Sequence, residues 1–253
     1  VVVPLTLTAM YLTGIARCAV RRADRALGGL FLISALVPMV ALALGQSMVY
    51  DNERLFMPTF PFLAALAGLG FEWIEGAIQA ALRTRLSIVR RAAIVVLCAL
   101  VFLPHVIHAA TLYPHLLSYY SEAIGGLRGA TRLGLETTYW CETYAEALPY
   151  LNAHAKPGAT VWVQPWSHDV MIYYQLLGRL DPSLRISWPE YGSTVFHREN
   201  VRGYHIERRQ ADYVVLQYRQ TGFDDDQVRW LEGREPVYRL SRHGVPLMDI
   251  YAR

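Results

Sequence analysis

Four uncharged, apolar runs dominate the first 110 residues, at 1–16, 26–45, 55–71 and 92–110. A helix needs about twenty such residues to cross a hydrocarbon core of about 30 Å. The run at 26–45 meets that length and the others approach it. Pro38 lies inside the second run, which a membrane helix accepts where neighbours satisfy the freed carbonyl. Pro58 and Pro61 fall in the first turns of the third, where a helix lacks partners for its N–H groups anyway. The pattern predicts a multi-pass α-helical membrane bundle over residues 1–110. A buried, water-soluble bundle is the competing reading, and the arginines flanking the runs argue against it.

From residue 111 the texture becomes polar and aromatic. Residues 111–142 hold too many glycines and aromatics for one regular element and predict a helix followed by an ordered loop. Helical spacing returns at 142–155, with Pro149 as an expected kink, and stops at Lys156-Pro157-Gly158. A strand follows at 159–164, a helix at 169–177, and strands at 185–188 and 212–218. The acids at 224–226 suit a helix N-terminus, so a helix is expected over 224–232. Residues 236–241 and 246–251 predict a hairpin around His243-Gly244. Strands alternating with helices imply a small α/β domain over 111–253.

Charge orients this arrangement. Residues 17–25 and 83–91 are arginine-rich loops that fall on one side of the bundle, which the positive-inside rule makes cytoplasmic. The 46–54 loop and the C-terminal domain are therefore expected outside the cytoplasmic membrane. Residues 1–110 carry nine arginines against five acids, while 111–253 carry fifteen Lys and Arg against sixteen. The basic excess lies in the membrane part, which argues against nucleic acid as a partner. Three cysteines, Cys18, Cys98 and Cys141, offer neither a disulfide framework nor metal-ligand spacing. The opening VVVPLTLTAMYLTGIA reads as the interior of a helix, and the chain is expected to be the C-terminal portion of a longer protein.

Candidate chemistry concentrates in two clusters. Tyr50, Asp51, Glu53 and Arg54 stand where a polar loop becomes an apolar run. An arginine there suits a phosphate, through paired N–H donors, with carboxylates orienting it or a substrate hydroxyl. A solvated loop with a snorkelling arginine has the same spacing. Glu136, Tyr139 and Trp140, with Glu142, set aromatic faces beside acids, as sugar binding requires. Aromatic residues equally favour a headgroup interface. His105 and His108 lack an identifiable third metal ligand, and Gly125–Gly134 with Arg128 and Arg132 matches no phosphate-loop pattern. Ser167-His168-Asp169 cannot form a triad, whose members meet from separate elements.

The segment YDNERLFMPTFPFLAALAGLG resembles the late-membrane motif of bacterial GT-C-type glycosyltransferases related to the protein O-mannosyltransferases and the lipid A aminoarabinose transferase. PHLLSYYSEAIGG…GLETTYW is similar to the segment after the last span in some members, which would carry Asn at 121 and Gly at 141 where this chain has Ser121 and Cys141. The resemblance covers about residues 46–150. It implies a polyprenyl-phosphate-linked sugar donor, a protein, lipid or glycan acceptor, and transfer on the outer membrane face. It also implies a catalytic carboxylate in a first external loop, so no catalytic residue is assigned here, and Arg54 is the expected donor-phosphate contact. The cofactor is unassigned, and a divalent metal in the complete enzyme stays open. The alternative is a non-enzymatic transport or assembly component whose outward domain binds a ligand.

Overall fold

The computed structural model describes residues 3–44, 52–82, 87–164, 168–187 and 206–253. The chain divides into two units, 1–113 with 119–126, and 114–118 with 127–253.

The first unit is helical. It contains α1 (Leu5–Val20), α2 (Arg25–Leu44), α3 (Phe60–Leu82) and α4 (Ser87–Leu112), with a 3-10 helix at Asn52–Thr59 leading into α3. Three segments are long and apolar enough to cross a membrane: Arg22–Leu44, Phe56–Leu82 and Ile88–Leu112. α1, with 16 residues, falls short of that length. Leu30, Ile33, Val95, Leu100 and Val106 are each more than half exposed along α2 and α4. Apolar side chains exposed along helices of this length are compatible with a membrane setting.

Two expectations are corrected here. α3 runs on to Leu82, past the end of the 55–71 run, and α4 begins at Ser87, so Arg90 and Arg91 lie within a helix and not in an 83–91 loop. Arg17 belongs to the last turn of α1, not to the following loop. α2 continues through Pro38 and α4 through Pro104.

α1 and α3 meet backbone to backbone. A Cβ added at Gly14 would sit 1.9 Å from the Leu66 carbonyl oxygen, and one at Gly70 would sit 2.0 Å from that of Met10. Small residues that let helix backbones touch are the usual device for packing where lipid removes the hydrophobic drive.

The second unit carries α5 (Gly126–Arg132), α6 (Leu148–His154), β1 (Thr160–Gln164), α7 (His168–Leu176), β2 (Arg185–Ser187), β3 (Tyr213–Gln217), α8 (Asp225–Leu231), β4 (Tyr238–Arg242) and β5 (Val245–Ala252). The sheet order is β2-β1-β3-β5-β4. β1 pairs parallel with β2 and β3, while β5 runs antiparallel to β3 and β4. Trp162, Val214, Leu216 and Tyr251 form a buried cluster on the sheet, and Trp230 and Leu231 of α8 pack against it.

Local chemistry explains the boundaries. Asp224 caps α8, accepting the Gln227 N–H while the Gln227 side chain accepts the Asp224 N–H. Pro149 lies in the first turn of α6, after a 3-10 turn at Tyr144–Ala147, so it starts the helix where a kink was expected. His243 and Gly244 both take positive φ, 50° and 74°, the turn that matches a two-residue hairpin between Arg242 and Val245.

Candidate functional site

In the second unit, the chain passes from β1 to β2 on one side, then returns to β3 on the other side of β1. The carboxyl ends of β1 and β3 therefore flank a topological switch point, where open α/β sheets bind ligands. Gln164 ends β1 and Gln217 ends β3. Both are buried. Gln164 and Gln227 pair amide to amide, and Gln164 Nε2 also donates to the Gly222 carbonyl at 2.6 Å.

The loop at 136–143 lies across the end of β3. Gln217 Nε2 donates to the Tyr139 carbonyl at 3.1 Å, and Thr143 Oγ1 donates to Gln217 Oε1 at 2.9 Å. Thr137 Oγ1 donates to the Tyr218 carbonyl at 3.2 Å. Glu142 Oε1 accepts the Tyr139 N–H at 3.1 Å, and Gln217 Nε2 lies 3.5 Å from Glu142 Oε2. Burial pushes the Glu142 carboxyl above its ordinary range, against the pull of these donors. Glu136 stands 3.4 Å from Arg219 Nε. Trp140 is 58% exposed.

The second expected cluster lies on this loop. Its carboxylates are engaged with the protein: Glu136 faces Arg219, and Glu142 supports its own loop. Of the first cluster, Tyr50 and Asp51 lie outside the described residues. Glu53 and Arg54 contribute backbone to the 3-10 helix Asn52–Thr59. That helix ends at Thr59, fully buried, whose hydroxyl donates to the Ala35 carbonyl of α2 at 3.1 Å.

Cys141 has φ 60°, a left-handed conformation that glycine adopts without strain.

Other candidates take structural partners. His108 Nδ1 lies 2.8 Å from Glu122 Oε1, and His105 Nε2 lies 3.0 Å from Thr6 Oγ1. Among the described residues, no group of three His, Cys, Asp or Glu could hold a metal. Arg128 donates from Nε to the His243 carbonyl at 2.5 Å, bracing the β4–β5 hairpin.

A buried network on β5 has no counterpart among the sequence expectations. Asp249 is fully buried and accepts from Arg239 Nε at 2.8 Å, Arg239 Nη2 at 2.6 Å, Tyr218 Oη at 2.7 Å and Tyr251 Oη at 3.1 Å. Burial, with Asp249 beside it, pushes the Tyr218 phenol far up, and the carboxylate holds Arg239 more firmly protonated. An acid inside the apolar run PLMDIY was the available signal. A buried carboxylate with four donors locks β5 against β3 and β4.

No family model, no curated protein and no solved structure matches the chain.

Proposed function

We propose that this chain belongs to an integral-membrane glycosyltransferase that moves a sugar from a polyprenyl-phosphate-linked donor to an acceptor on the outer face of the cytoplasmic membrane. One observation carries the reading: the stretch that resembles the GT-C motif joins a polar tract directly to a candidate span, Phe56–Leu82. The buried Thr59 hydroxyl ties that junction to α2, which gives the tract a firm base at the end of a helix. Three apolar helices of spanning length are compatible with the membrane setting. In this reading Arg54 pairs with the donor phosphate and stabilises its charge as the sugar leaves. Trp140 and Tyr139 offer ring faces to a sugar, and the acceptor is a protein, lipid or glycan.

The test is transfer of labelled sugar from polyprenyl-phosphate donors in membranes that carry the complete protein. Transfer above empty membranes is expected. Loss of one charge-assisted hydrogen bond, worth about 1.5–3 kcal/mol, slows Arg54→Ala about tenfold to a hundredfold. Arg54→Lys keeps the charge without the planar fork and recovers only part of the rate. A parent-like rate in Arg54→Ala would remove the phosphate contact, and no transfer from any such donor overturns the reading.

A further inference from the structure

A cleft of about 520 Å³ opens in the second unit beside α8, with Val214 of β3 and Tyr251 of β5 in its lining. That volume suits a small molecule. Five arginines line it: Arg208, Arg209, Arg229, Arg234 and Arg253. Among the described residues, the lining holds two carboxylates against them, Asp226 and Glu232.

The arginines are held in place. Arg208, with its side chain 8% exposed, lies 5.5 Å from the Trp162 ring centre and 5.3 Å from that of Trp230. Arg234 sits over the same Trp230 at 4.5 Å. Asp226 takes Arg208 Nη2 on one oxygen and Arg209 Nη2 on the other, at 2.5 and 2.6 Å. Arg229 is steadied by donating from Nε to the Asp225 carbonyl at 3.1 Å. Each guanidinium has five N–H donors, and these contacts use few of them. The buried Arg208 Nε has no hydrogen-bond partner among the described residues. A buried donor left unsatisfied is costly, and a bound anion or ordered water is the usual answer to it.

From this cleft, its arginine excess and the orphaned Arg208 donor, we infer that the second unit binds a phosphate-bearing ligand between Arg208, Arg209 and Arg234. Planar guanidinium forks match phosphate oxygens in pairs, which ammonium groups do not. Stacking on Trp162 and Trp230 pre-orders the forks, so little side-chain entropy is lost on binding. The inference is independent of the transferase reading, because none of these residues belongs to the 46–54 tract or the 136–143 loop. Phosphate can come from a soluble molecule or from a lipid headgroup, and the cleft recognises the chemistry they share.

The full chain in phosphatidylcholine nanodiscs is titrated with inorganic pyrophosphate, and again in nanodiscs containing phosphatidylglycerol. Arg208→Gln risks misfolding, so the test uses the exposed pair, Arg209→Gln with Arg234→Gln. A charge-matched control replaces Arg179 and Arg185, which do not line the cleft. Saturable pyrophosphate binding is expected, weakened about tenfold or more in the cleft variant and within about twofold of the parent in the control. Pyrophosphate binding that survives in both lipids identifies a soluble ligand. Competition by phosphatidylglycerol, lost in the cleft variant, identifies a headgroup. Equal weakening in the cleft and control variants, or no saturable binding in either lipid, overturns the inference.

Discussion

Arg17 Nη1 donates to Glu72 Oε2 at 2.7 Å, across 55 residues of sequence. The same guanidinium donates from Nε to Asp24 at 2.8 Å and from Nη1 to the Leu69 carbonyl at 3.0 Å. Its side chain is 6% exposed, so one buried arginine pairs with two acids and clamps α1 to α3. The clamp lies on the same helix pair as the Gly14–Gly70 crossing, where the backbones already touch.

Removing the clamp leaves two acids without their cation. Glu72 remains largely exposed, so water offsets part of the loss. Arg17→Leu is expected to destabilise the first unit by about 1–3 kcal/mol, and Arg17→Lys by less. Thermal unfolding of the detergent-solubilised chain measures this. A Tm for Arg17→Leu equal to the parent's would show that the ion pairs contribute nothing net.

Cys141 bears the backbone cost of its left-handed φ, about 1–2 kcal/mol for a residue with a Cβ. Cys141→Gly relieves it but forfeits a small buried side chain, so the change is expected to fall within about 1 kcal/mol of neutral. Cys141→Val adds β-branching at positive φ and should cost about 2 kcal/mol or more. Denaturant unfolding of the three proteins orders them. Valine as stable as glycine would contradict the conformational argument.

Glu142 should make stability pH-dependent. Its folded-state value is raised above the ordinary 4.5 by burial, so the folded chain holds this proton to higher pH than the unfolded chain does. Between those two values the native state binds more protons, and stability falls as pH rises. Below 4.5 both states are protonated and the difference vanishes. Glu142→Gln keeps an acceptor for the Tyr139 N–H and removes the titration. Unfolding followed from about pH 4 to 7 is expected to show a flatter profile for Glu142→Gln. Parallel profiles would place the protonation change elsewhere.

Orientation rests on the arginine loops. Cysteines introduced at Gln46 and Ser183 should react with an impermeant thiol reagent in intact cells, and one at Thr84 should not. Arg17 lies in the last turn of α1 and pairs with Asp24 and Glu72, which leaves Arg21, Arg22 and Arg25 as the arginines of the first loop. Reaction at Thr84 with protection at Ser183 would reverse the topology.

The apolar runs, the acidic start of α8 and the His243-Gly244 turn were legible in the chain, because each depends on neighbours within a few positions. Helix length needs a run of apolar residues, a helix start favours acids in its first turn, and a hairpin turn needs two residues that accept positive φ. The tertiary structure alone decided the rest. Arg17 read as a loop cation because its partner Glu72 is distant in sequence. The approach of Glu136 to Arg219 joins residues 83 positions apart and has no local signal. The five arginines of the cleft are scattered from Arg208 to Arg253 and converge only when α8 and the ends of β3 and β5 pack together. Local propensity acts over one turn of chain, whereas a charge finds its counter-charge through a fold that the surrounding apolar burial has already selected.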